Sequence, residues 1–139
     1  MPPRRSPRRY AAGTTVPVAK SRMEVEDLLT RHGAHQIVIG TDSRLRRGFV
    51  SWTVEDRQYK LAIPPRQGRN VAQIEREQWR TLVLLLKGKL EVIASGMVTF
   101  DQEFLAYMVL FDGTTVGEAV APRIAEIYDT GKVVPLLPP

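Results

Sequence analysis

The stretch Phe49-Val50-Ser51-Trp52-Thr53-Val54-Glu55-Asp56-Arg57-Gln58-Tyr59-Lys60-Leu61-Ala62-Ile63 decides the fold. Two runs rich in Val, Ile, Trp, Thr and Tyr flank Asp56-Arg57, a spacer short enough for a tight hairpin, so strands are expected over 49–55 and 58–63. Alternation sets Val50, Trp52 and Val54 on one face and Ser51 and Thr53 on the other, the pattern of an antiparallel sheet buried on one side. A third strand, His35 to Gly40, precedes them across a longer loop, 41–48, that carries Arg44, Arg46 and Arg47. Pro64-Pro65 ends the sheet.

Helices are expected on both sides of this meander. Ser21 with Glu24 three residues on has the form of a capping box, which predicts a helix from Arg22 to about His32, closed by Gly33. Asn70 with Gln73 opens a long helix over 71–95, with Gly96 at its end and Gly88 as its weak point, since an interior glycine costs about 1 kcal/mol relative to alanine. Thr99 with Gln102 caps a short helix through about Val109. Asp112-Gly113 turns the chain, and Thr115 with Glu118 opens a last helix from Val116 to about Tyr128, which Pro122 should kink.

With 139 residues, 43% apolar and 25% charged, the chain has the make-up of one globular domain. It has no cysteine, which excludes a disulfide frame and a Cys-based zinc site. No apolar run approaches the roughly 20 residues a membrane span needs. The basic start lacks the apolar core of a signal peptide, so the cytoplasm is the expected compartment. Three parts are expected: an Arg/Pro-rich mobile arm over 1–13, an α+β domain over 14–132, and an extended apolar tail over 133–139 lying across the body or a partner.

Charge is divided along the chain. Residues 1–89 hold 18 Lys/Arg against 8 Asp/Glu, and residues 90–139 hold 2 against 7, a net of +10 in front and −5 behind. Such a front half is suited to a polyanion, with nucleic acid the first candidate. Three basic elements qualify: the arm with Arg4, Arg5, Arg8 and Arg9; the loop with Arg44, Arg46 and Arg47; and the long helix, on which Arg69, Arg76, Arg80 and Lys87 fall in one stripe at 100° per residue. Arg76 to Lys87 spans about 16 Å, enough to follow several phosphates. The plainer reading of the stripe is a solvated face with local ion pairs. Phe49 and Tyr10 are the aromatics placed to stack on bases, while Trp52 and Tyr59 belong to the core.

Little points to catalysis. His32 and His35 with Asp42 are the only conceivable metal trio, and a helix-end cap and a strand-start residue are simpler readings of the two histidines. Thr41-Asp42-Ser43 has the outline of an acidic phosphate-chemistry loop, yet no second carboxylate cluster accompanies it, so a turn explains it better. No phosphate-loop pattern is present. The expectation is a non-enzyme without cofactor or metal.

Several motifs carry a likeness: Gly13-Thr14-Thr15-Val16-Pro17-Val18, Lys20-Ser21-Arg22, Arg31-His32-Gly33-Ala34, Phe104-Leu105-Ala106, Asp112-Gly113-Thr114-Thr115-Val116-Gly117-Glu118, Tyr128-Asp129-Thr130-Gly131 and Pro135-Leu136-Leu137-Pro138. Together they resemble a family of small uncharacterised proteins encoded by bacteriophages and prophages. The shared residues are mostly caps, turns and the tail, so the resemblance implies a common fold and carries over no functional residue.

The expected architecture is α+β: an N-terminal helix, a three-stranded antiparallel sheet, a long helix packed on it and two shorter C-terminal helices. Its first five elements follow the αβββα order of double-stranded RNA-binding domains, without the basic motif that opens their second helix. The expected function is a phage-type accessory protein that binds nucleic acid, DNA or RNA, mainly through phosphate. The alternative is a protein-interaction module, or homo-oligomer, docking through the C-terminal helices and tail, with no membrane partner.

Overall fold

Three strands and two helices packed side by side build the body of the protein, whose computed structural model describes residues 7–137. Strands β1 (His35–Asp42), β2 (Arg47–Val54) and β3 (Arg57–Ala62) form one antiparallel sheet in the order β1-β2-β3. Helix α1 (Val18–Arg31) precedes it; α2 (Val71–Ala94), α3 (Phe100–Glu103), a single 3-10 turn (Leu105–Tyr107) and α4 (Val116–Thr130) follow. The expected α+β order is the observed one, with α2 running unbroken through Gly88 and α4 through Pro122.

The sheet buries the face that the alternation indicated. Val50, Trp52, Tyr59, Leu61 and Ile63 meet Val25, Leu28 and Leu29 of α1 and Trp79, Leu82, Val83, Leu86 and Leu90 of α2 in one core. Gly48 lets α2 come close, because a Cβ there would stand 2.7 Å from Trp79 Cζ2. Phe104 sits edge-on to Trp52 at 5.4 Å between ring centroids and stacks on Phe100 at 4.7 Å, so α3 seals the end of the sheet nearest the β2–β3 turn with aromatic area. Tyr59 donates its hydroxyl to Asp101, and Arg57 pairs with the same carboxylate. Burial pushes the Tyr59 hydroxyl pKa up.

Local details differ from expectation where a distant contact overrides a local signal. The β2–β3 turn is Glu55-Asp56, one residue earlier than Asp56-Arg57, because Val54 pairs with Arg57 and Glu55 takes φ 56°. Helix α1 begins at Val18, not Arg22: Pro17 stands at the N-cap with φ −61°, and its carbonyl accepts from the amides of Lys20 and Ser21. Ser21 is therefore a buried interior residue rather than a cap. The helix expected from Thr99 to Val109 stops at Glu103. Met108 and Val109 are extended instead, Val109 N–H donating to Gln58 C=O at 2.8 Å, which covers part of the free β3 edge.

The start of the chain departs from the expected layout over its described residues. Residues 1–6, including Arg4 and Arg5, lie outside the described residues. From Arg9 onward the expected mobile arm is a turn, closed by Ala12 N–H to Arg9 C=O at 3.1 Å, with Ala11 buried. The tail, over its described part, returns along α4, where Arg123 Nη1 donates to Pro135 C=O at 2.9 Å.

Candidate nucleic-acid interface

The directions of the elements bring basic residues from distant parts of the chain to one pole. Helices α1 and α2 run parallel: Gln73 donates to Thr14 C=O at 2.9 Å, Arg22 lies 4.7 Å over the Trp79 ring, and Glu24 meets Arg80. Both helices therefore start at the same end. Strand β1 runs back against α1, so its far end returns to that pole, where Arg22 Nη2 donates to Thr41 Oγ1 at 2.7 Å. The β1–β2 turn follows at once, shaped by Asp42, whose carboxylate accepts from the amides of Arg44 and Leu45 at 3.0 and 3.1 Å. Asp42 is thus a turn former, as its sequence context indicated. The loop before α2 closes the group, with Arg66 N–H donating to Arg46 C=O at 3.3 Å.

Seven arginines consequently sit at this pole: Arg22, Arg44, Arg46, Arg47, Arg66, Arg69 and Arg76. Arg66 is neutralised by Glu75. The other six have no carboxylate within 4.0 Å among the described residues. Arg44, Arg46 and Arg69 are exposed, while Arg22, Arg47 and Arg76 are half-buried. Arg76 is held by the Gln73 side chain, at 3.1 Å from its Nε, and lines a groove of about 390 Å³ between Thr15, Pro17 and Val18 of one helix start and Ala72 and Gln73 of the other. Oriented guanidinium groups with free donors are the chemistry that holds phosphate oxygens.

The expected ridge on α2 is not a surface ridge. Its side bearing Arg76 and Arg80 faces α1, Val83 is buried within the same arc, and Arg80 is buried in a bidentate pair with Glu24. The Arg80 hydrogen bond holds the Glu24 carboxyl below its ordinary range, helped by the charges of Arg80, Lys87 and Lys20. Lys87 alone of the ridge's later half is exposed. The solvent side of α2 shows Thr81, Leu84, Gly88 and Glu91, which carry little positive charge. Of the arm residues, Arg8 is exposed and donates to Ala12 C=O at 3.3 Å, and Arg9 is paired with Glu77 at 3.2 Å.

Arg22 is the basic residue that sequence reasoning passed over, and its place in the first turns of α1, the same end of the helix as the arm, was the available signal. Trp52 and Tyr59 are core residues, as expected. Phe49 packs over Gly40 on the outer sheet face with Lys60 5.6 Å from its ring, and Tyr10 is exposed. His32 Nδ1 lies 2.7 Å from Leu28 C=O, and His35 Nε2 3.3 Å from Glu55 C=O. No group of three metal-ligating side chains occurs among the described residues, and no described helix is long and apolar enough to cross a membrane. A larger groove, about 590 Å³, runs between β3 and α2; Leu61, Ile63, Ile74, Leu82 and Leu85 make it apolar. No protein-family model, curated protein or solved structure matches the chain.

Proposed function

We propose that this protein binds nucleic acid through backbone phosphates, using the pole formed by the β1–β2 turn and the starts of α1 and α2. The observation that carries this reading is the convergence of six arginines, without carboxylate partners among the described residues, on three chain segments that sequence separates. Phosphate contacts position a protein without reading bases, so the binding discriminates little between sequences. The few exposed aromatics near the pole favour backbone contact over base stacking. A phage-type accessory role accords with this and with the terminal motifs.

Fluorescence anisotropy with labelled duplex DNA, single-stranded DNA and RNA at two salt concentrations tests the proposal. Each phosphate neutralised on duplex DNA contributes a slope of about −0.9 to log affinity against log salt. Binding that is absent at low salt, or indifferent to salt, rejects it.

A further inference from the structure

The two edges of the sheet are finished differently. On β3, Val109 N–H reaches Gln58 C=O at 2.8 Å, and Arg57 and Lys60 put charge along the strand, both of which discourage a further strand. Strand β1 has neither guard: from Gln36 to Thr41 it reads Gln-Ile-Val-Ile-Gly-Thr, without charge or proline. The register shows which of its backbone groups are bare. Ile63 N–H donates to Gly48 C=O at 2.9 Å, so Gly48 and, in alternation, Val50 and Trp52 bond to β3, while Arg47, Phe49 and Ser51 bond to β1. Their partners Asp42, Gly40 and Val38 therefore face β2, and Ile39 and Thr41 point their amides and carbonyls away from the sheet. Those four groups have no hydrogen-bond partner among the described residues; Arg22 reaches only the Thr41 hydroxyl. Before Val38 the register slips and Gln36 takes φ 51°, so the regular edge is 38–42, with Gly40 at its middle.

We infer that β1 pairs with β1 of a second copy, antiparallel about a two-fold axis at Gly40, joining two three-stranded sheets into one. A bare strand edge takes another strand, and hydrogen bonding, packing and charge all select this one. With Gly40 opposite the partner's Gly40, Ile39 faces the partner's Thr41 and Thr41 the partner's Ile39, so every bare group of both copies is bonded. A shift either way sets these groups against the bulge at Gln36 or the turn after Asp42. Phe49 leans over Gly40, its Cε1 and Cζ 2.8 Å from where a Cβ would stand, so the ring of each copy lies beside the axis on the outer sheet face, next to half-exposed Val38. Charge fixes the direction. The turn after β1 carries exposed Arg44 and Arg46, and the other end of the sheet carries exposed Glu55 and Asp56, neither with a cation within 4.0 Å among the described residues. His35 Nε2 lies 3.3 Å from Glu55 C=O, which sets that acidic turn by the start of β1. Antiparallel pairing brings the arginine turn of each copy toward the acidic turn of the other, whereas parallel pairing would bring the two arginine turns together. An edge that complements itself about a two-fold axis is what an isologous interface requires. This inference does not rest on the nucleic-acid reading.

Amide exchange of the nuclease-treated wild type, followed by NMR, reads the seam directly. The Ile39 and Thr41 amides are expected to exchange slowly at high protein concentration and to quicken on dilution, as light scattering falls from twice the chain mass to the chain mass. Thr41→Pro deletes an amide that no strand of its own chain uses, and is expected to run as a monomer with unchanged circular dichroism, while Thr41→Val, which keeps the amide, still pairs. The wild-type exchange stands as a test even if the proline variant fails to fold. Because the chain has no cysteine, Ser43→Cys with a spin label reports the direction: antiparallel pairing sets the two labelled backbones about 20 Å apart and parallel pairing about 5 Å. A wild type that stays monomeric at every soluble concentration, Ile39 and Thr41 amides that exchange equally fast in concentrated and dilute protein, pairing that survives Thr41→Pro, or the short distance would each overturn the inference.

Discussion

Arg80 belongs to the fold because α1 brings a carboxylate to it: Glu24 accepts from both of its terminal nitrogens, and the pair is mostly screened from water. Removing one partner strands the other, so Arg80→Ala is expected to destabilise by on the order of 2 kcal/mol, between surface and buried ion pairs. Urea unfolding measures this, and adding Glu24→Gln should cost much less than the sum of the two single changes. The pH dependence has a definite sign. Because the Glu24 pKa is lowered from 4.5 in the folded state, its contribution is complete above that value and is lost as pH falls through the depressed folded pKa. Stability of the wild type should therefore drop more steeply below pH 4.5 than that of Glu24→Gln, as acid unfolding followed by tryptophan fluorescence would record. At this scale the sequence misled for a physical reason. An arginine in a stripe reads as solvated until its carboxylate is known, and that partner lies 56 residues away.

Among the elements, local chemistry was legible and long-range chemistry was not. Asn70 with Gln73, Thr99 with Gln102, and Thr115 with Glu118 all cap the helices they were expected to cap, since each signal lies within four residues. Ser21 with Glu24 has the same form and fails, because Pro17 starts the helix earlier and Glu24 is recruited by Arg80. Val109 fails likewise, because the β3 edge claims its amide. Thr115→Ala is expected to remove about 1 kcal/mol from the start of α4. As α4 meets the body mainly at its first turn, the loss should appear as faster amide exchange over 116–130, with β2 and α2 unaffected. Uniform acceleration across the sheet would contradict this picture of a weakly tethered helix.

Over the whole molecule, the charge division along the sequence becomes a division in space. Seven arginines of the basic front half gather at the β1–β2 end of the sheet, while the acidic back half is anchored at the other end, where Asp101 meets Arg57 and Val109 meets Gln58. That arrangement separates the arginine-rich pole from the acidic C-terminal unit. The front-loaded charge was visible from composition. Which arginines converge was not, because it depends on α1 and α2 running parallel and on β1 returning along α1 to the end where both helices start. The most direct test of the account is the salt dependence of duplex DNA binding by the wild type and by Arg44→Ala/Arg46→Ala/Arg47→Ala. The triple variant is expected to bind more weakly to every sequence, with a slope shallower by about one for each arginine that holds a phosphate. Equal affinity and equal slope for the two proteins would contradict it.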